Sequence, residues 1–255
     1  MMPKCIFILF LLVNSYCSLY AQDFGPNDSL RLDSLVDKMY QQNENQKFDS
    51  AIIYAKEVDS LTFLLYGNSR EYAVGLNNTG YFYYQNFDYA NAEDYYKKAM
   101  GVLEKYTGKN DSDYAGFLNN LGALYDNLGN FSEAESLYKE SALIRKAIFG
   151  NESREYAQNL NNIGNLYRKT ENYDSARINL EKSLSIRQSL KDSFYFAQTL
   201  STLGSVNQKT GNYIEAENQY KEALAVIGGL YGTKHTEYAN ILNNLAFLYY
   251  DMSNY

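Results

Sequence analysis

Few residues in this chain can do covalent or acid–base chemistry. His235 is the single imidazole, and the two cysteines, Cys5 and Cys17, both fall inside an apolar leader. A zinc cluster, a thiolate nucleophile and a Ser-His-Asp relay therefore all lack their parts. Catalysis would rest on carboxylates alone, and no pair of titratable groups stands out for acid–base work. No catalytic residue, metal ligand or cofactor is expected, and the chain reads as a non-enzyme. What it offers instead is amide chemistry. Asparagines come in adjacent pairs, Asn77-Asn78, Asn119-Asn120, Asn161-Asn162 and Asn243-Asn244, with Ser201-Thr202 at the same place in one further unit. Each amide side chain carries both a donor and an acceptor, so a row of them can hydrogen-bond an extended backbone whatever its sequence.

These pairs lie in segments that otherwise read as helix, such as "YAQNLNNIGNLY" from Tyr156 to Tyr167. Asparagine in a helix interior costs roughly 0.6 kcal/mol relative to alanine. Eight of them cost about 5 kcal/mol, comparable to the net stability of a domain. Something must offset that.

The elements that position the pairs follow from self-similarity. Tyr-Ala recurs at Tyr72, Tyr114 and Tyr156, becomes Phe196-Ala197, and returns at Tyr238, with spacings of 42, 42, 40 and 42 residues. Within a unit, Gly122, Tyr125, Ala134, Tyr138 and Ser141 are matched by Gly80, Tyr83, Ala92, Tyr96 and Ala99. Gly204, Ala216, Tyr220 and Ala223 repeat the series with Asn207 in place of the first aromatic, and Gly164, Tyr167, Ala176 and Ser183 repeat it with Leu180 in place of the second. Leu118, Leu121, Gly122 and Tyr125 fall on one helical face, and Ala134, Leu137, Tyr138 and Ser141 form a second stripe after a short break. Two helices thus face each other, with glycine and alanine letting the backbones approach. The break carries "LGNF", "TENY", "TGNY" or "MSNY". Asn130 with Glu133 and Asn212 with Glu215 have capping-box spacing, and Asp88 and Asn172 can cap in the same way.

This pattern resembles the tetratricopeptide repeat, in the lengthened form of kinesin light chains and many bacterial proteins. "YAQNLNNIGNLYRKTENYDSARINLEKSLSIR" and "YAGFLNNLGALYDNLGNFSEAESLYKESALIR" carry the resemblance, which spans Tyr72 to Tyr255. It implies an all-α fold, a right-handed superhelical solenoid of antiparallel helix pairs. HEAT-type helical pairs have a similar period and are the other reading. The expected organisation is a signal peptide over 1–21, a degenerate helical repeat over 22–71, repeats over 72–113, 114–155, 156–195 and 196–237, and the first helix of a further repeat over 238–255. One departure is the proline expected near each unit's end, since Pro26 is the only proline after the leader. His235 sits where the long-repeat family often has His-Pro, but Thr236 follows it, so it reads as a loop residue.

With Leu118 centred on the packed face, Asn119 and Asn120 turn about 100° and 200° away from it. The resemblance implies that the first helix of each pair lines a concave surface. That surface would carry Asn77, Asn78, Asn119, Asn120, Asn161, Asn162, Ser201, Thr202, Asn243 and Asn244, with Ala123, Asn165 and Ser205 one turn on. Three roles are open for the amides: gripping an extended peptide, bonding one another between repeats to fix register, or plain solvation. Arg168, Lys169 and Lys209, late in their helices, read either as a carboxylate-binding patch or as cations complementing helix dipoles. Tyr81, Tyr84, Phe247 and Tyr250 follow the core stripe less well and are expected to face the groove or the next helix.

The bulk properties agree with a binding scaffold. An apolar content of 45% over 255 residues suffices for a core, and a net charge of −7 without a basic cluster argues against nucleic acid as partner. Lys4 followed by "CIFILFLLV" and then "SLYAQ" reads as a signal peptide cleaved after Ala21, too short for a membrane span. A lipid anchor at Cys17 is disfavoured by the bulk of Tyr16. An exported location, periplasmic or extracellular, is expected, and no membrane span is expected in the mature chain. The expected partner is a protein or an extended peptide segment. Leu242, Leu245 and Tyr249 would lack the cover of a following helix, which points to downstream repeats or to end-to-end self-association through 238–255. The second functional reading is the regulatory or sensory arm of a larger enzyme, because bacterial chains similar to this one often continue into a CHAT protease domain or a signalling output.

Overall fold

Helical spacing of apolar residues runs through every unit, and the fold follows it. The computed structural model describes residues 26–253, so the signal-peptide reading and both cysteines lie outside the described residues. Among the described residues there are eleven α-helices and no strand. They are α1 (Pro26–Glu44), α2 (Phe48–Tyr66), α3 (Arg70–Gln85), α4 (Tyr89–Tyr106), α5 (Ser112–Asn127), α6 (Phe131–Phe149), α7 (Arg154–Lys169), α8 (Tyr173–Ser189), α9 (Ser193–Lys209), α10 (Tyr213–Tyr231) and α11 (Thr236–Ser253). None of them is long and apolar enough to cross a membrane.

The chain divides into two compact units, Met1–Leu124 and Tyr125–Tyr255, with the division inside α5. In the first unit α2 packs on α1 and on α3, and α3 packs on α4. Leu32, Leu35, Val58, Leu61 and Leu65 form the α1–α2 core there. In the second unit each helix from α6 to α11 packs on the next, and the first helices α7, α9 and α11 also touch in sequence. One of its core clusters joins Ala197 and Leu200 of α9, Ala216, Tyr220 and Ile227 of α10, and Ile241, Leu245 and Leu248 of α11.

The glycine of each unit is set by steric need. A Cβ on Gly80 would lie 2.8 Å from the Tyr96 ring, one on Gly204 2.9 Å from the Tyr220 ring, and one on Gly164 2.6 Å from Leu180 Cγ. Real Cβ atoms do not come so close, so the first helix can approach the second only where this side chain is missing. Leu180, where other units have tyrosine, fills the same slot and is fully buried.

The helix starts divide into two kinds. Asp88 and Asn172 accept hydrogen bonds from the Asn91 and Ser175 amides. Asn130 and Asn212 do not cap through their side chains, contrary to the capping-box expectation. Asn212 turns its amide to Thr210 Oγ1 at 3.1 Å instead. The first helices have caps of their own: Ser69 and Ser153 accept from the Tyr72 and Tyr156 amides, Asp111 from Asp113 and Tyr114, and His235 Nδ1 from Glu237. His235 thus serves as a loop residue that starts α11, stacked on Tyr231 at 4.7 Å.

A second correction concerns the last helix. Leu245 is buried against α10, whereas Leu242 and Tyr249 are exposed as expected. The stripe Ile241, Leu245 and Leu248 packs into the cluster shared with α9 and α10, and Leu242 and Tyr249 lie beside that stripe.

Candidate functional site

The first helices lie side by side, and their polar residues meet at a fixed offset. Asn120 Nδ2 donates to Asn77 Oδ1 at 3.1 Å, and Asn244 Nδ2 donates to Ser201 Oγ at 3.3 Å, each pair 43 residues apart. Lys169 Nζ to the Asp126 carboxylate, Gln208 Nε2 to Asp251 Oδ2, and Arg70 Nε to Asp113 Oδ2 share that offset, at 2.8, 2.6 and 2.6 Å. One repeat plus one residue is the step that places neighbouring first helices in contact. Between α7 and α9, where the repeat is shorter, Thr199 places its hydroxyl 3.0 Å from Asn161 Oδ1.

Burial varies along these pairs. Asn77, Asn119 and Ser201 are buried between helices, and Asn161 is half-buried. Asn78, Asn120, Asn162, Thr202 and Asn244 are half-buried, as are Ala123, Asn165 and Ser205 one turn on, while Asn243 is exposed. Thr202 returns its hydroxyl to the Gln198 carbonyl at 3.1 Å.

The cations separate in the same way. Lys169 sits 2.8 Å from both oxygens of Asp126, whose side chain is 9% exposed, so this lysine is committed to its neighbouring helix. Arg168 forks onto Asn165 Oδ1 at 3.1 and 2.9 Å, and Lys209 is exposed. Asp126, Arg168 and Gln208 occupy one repeat position, and Lys169, Lys209 and Asp251 the next. The steps Asp126–Lys169 and Gln208–Asp251 match donor with acceptor. At the corresponding positions of α7 and α9 the chain has the cations Arg168 and Lys209.

Of the aromatics singled out, Tyr81, Phe247 and Tyr250 are exposed, and Tyr84 is half-buried with its ring 5.9 Å from Tyr89. Sequence reasoning missed two interior arginines at one position of the second helices. Arg145 donates to Asn159 Oδ1 at 2.8 Å and to the Glu155 carbonyl at 3.2 Å. Arg187 pairs with Asp192 at 3.3 Å and lies over the Tyr195 ring at 4.9 Å. Burial lowers the pKa of both guanidinium groups. Asn159, Glu155 and Asp192 stand across the turn in the next first helix or at its start, so both arginines fasten one repeat to the next, and Arg187 also donates to Ser183 of its own helix at 3.2 Å.

The tetratricopeptide repeat model matches residues 71–142, 113–189 and 195–255, well over half of the chain. The chain belongs to the tetratricopeptide repeat family. Among solved structures, this tetratricopeptide chain is similar to BtubC (BKLC) from P. vanneervenii, with 23% identity, a TM-score of 0.71, and coverage of 81% of this chain and 85% of that one. It is also similar to two structures of a Podosopora anserina putative kinesin light chain with nearly identical TPR-like repeats, each at 15% identity. Their TM-scores are 0.67 and 0.64, covering 81% and 79% of this chain and 99% and 97% of those. At such identities the likeness shows the fold. No curated protein matches the sequence. As a tetratricopeptide scaffold the chain has a fold consistent with protein binding, and its polar ladder is built into the stacking of the repeats.

Proposed function

We propose that the chain is a non-catalytic scaffold that binds an extended peptide along the first-helix face of its second unit. The observation that carries this reading is the row of polar side chains on that face. Ser201 and Asn161 hold neighbouring helices together, and Asn162, Asn165 and Ser205 are half-buried beside them. Fastening accounts for Asn161, Ser201 and Asn244. Asn162 and Asn165 add amide groups at helical spacing, suited to backbone donors and acceptors of an extended segment. Arg168 and Lys209 add a preference for a peptide carboxylate, because guanidinium and ammonium groups make charge-assisted hydrogen bonds to it.

The apolar leader supports export, with the working protein beginning at Gln22. N-terminal sequencing of the protein recovered outside the cytoplasm tests that point, and a start at Met1 or Met2 refutes it.

The binding reading is tested with a display library of random twelve-residue peptides panned on the full chain. Peptides that bind are expected to lose affinity about tenfold with Asn162→Ala plus Asn165→Ala, and to keep it with Leu143→Ala on the exposed side of α6. Failure to enrich any peptide, or loss through Leu143 alone, overturns the reading.

A further inference from the structure

The α2–α3 contact of the first unit holds a carboxyl group that the scaffold does not need. Asp59 stands eight residues past Ala51, where Met100, Ala142, Leu184 and Leu224 stand eight past their own alanines. The surface it meets has changed in step: Thr79 replaces the Leu121, Ile163 and Leu203 of other units, and Gly75 replaces Phe117, Asn159 and Thr199. Asp59 is 6% exposed. Thr79 Oγ1 donates to its Oδ2 at 2.7 Å, and its Oδ1 is buried without a hydrogen-bond partner. A Cβ on Gly75 would fall 2.6 Å from that Oδ1, so the missing side chain is what gives the carboxyl its space.

No cation answers it. From α3 it is faced by Tyr72 and from α4 by Tyr95, both phenols whose pKa burial raises. On its own helix, Lys56 lies over the Tyr83 ring at 5.2 Å. Among the described residues no ion pair includes Asp59. A buried anion held by one hydroxyl is strongly disfavoured, whereas a neutral acid in the same place is tolerated. Burial pushes the Asp59 pKa up to about 7, with the Thr79 hydrogen bond opposing.

We propose that Asp59 is a proton-binding site that governs how firmly the α1–α2 pair seats on α3, closing the contact when protonated and loosening it when ionised. The direction is the reverse of a salt-bridged carboxylate. The folded form keeps the proton between the ordinary value of 3.8 and about 7, while the unfolded chain has released it. Stability therefore falls as pH rises through that window and levels off above it.

The test is amide hydrogen exchange of the full chain at about pH 5.5 and about pH 8.5, corrected for intrinsic exchange. Protection in α1 and α2 is expected to drop at least about tenfold at the higher pH relative to α9 and α10. Asp59→Asn should remove that drop. Thr79→Val, which takes away only the one donor to the anion, should move the transition to higher pH. Equal protection of the wild type at both pH values, an Asp59→Asn response identical to wild type, or an unmoved transition in Thr79→Val overturns the proposal.

Discussion

Arg177 donates to Asn207 Oδ1 at 2.6 Å, in the place where Glu135 accepts from the Tyr167 hydroxyl at 2.6 Å one repeat earlier. Glu217 and Tyr249 make the acidic version again one repeat later, also at 2.6 Å. Each contact ties the second helix of one repeat to the first helix of the next. The middle one reverses the direction of donation, which gives Asn207 a reason to stand where other units have an aromatic.

The exchange should behave as a unit. Arg177→Glu alone sets a carboxylate against Asn207 Oδ1 and should cost about 1 to 2 kcal/mol in urea unfolding. Adding Asn207→Tyr should recover much of that loss, less the bond from Asn207 Nδ2 to Gln219 at 2.8 Å. Costs that merely add contradict a coupled pair.

The acidic version is pH-dependent with the usual sign. Hydrogen bonds from Lys139 and Tyr167 hold the Glu135 carboxyl below its ordinary value of 4.5. Its contribution is complete above that value and is lost as pH falls through the lower folded one. Tyr167→Phe should therefore lower the thermal midpoint at neutral pH and narrow the gap to wild type in acid. A constant gap from neutral pH into acid contradicts it.

The helix crossing is a steric prediction. Gly164→Ala drives a Cβ to 2.6 Å from Leu180 Cγ and 3.2 Å from the Ala176 carbonyl oxygen. It should cost about 1 to 3 kcal/mol, and Leu180→Ala added to it should relieve only the side-chain part, because the backbone contact stays. A neutral Gly164→Ala, measured by chemical unfolding, contradicts the close approach.

The steric frame was legible in the sequence because it rests on size: Gly164, Ala176 and Leu180 state how near two backbones come. The Asn pairs were legible as a repeated feature but not in their division of labour. A helical wheel turns Asn119 and Asn120 off the intrarepeat core alike, and only the lateral step between first helices shows that Asn77 receives Asn120. Likewise Asn130 and Asn172 are the same residue at the same place, yet only Asn172 caps, since capping depends on where a rotamer points. Backbone conformation was hidden as well: Glu171 and Phe87 take positive φ, 61° and 62°, where Gly129 and Gly211 do so at 78°. Arg145 and Arg187 carry no signal in the repeat pattern, since Asn159 and Asp192, which hold them, lie beyond their own helices. Asp59 was passed over because the first repeat is the most divergent, and its exchange for an apolar residue shows only once Ala51 is aligned with Ala92.

The most direct test of the central claim is photo-crosslinking with a display-selected peptide that carries a benzophenone side chain, followed by mapping of the adducts on the full chain. The account predicts adducts on α7 and α9, centred on the helical turns that hold Asn162, Asn165 and Ser205. Adducts confined to the second helices α6, α8 and α10 would contradict it.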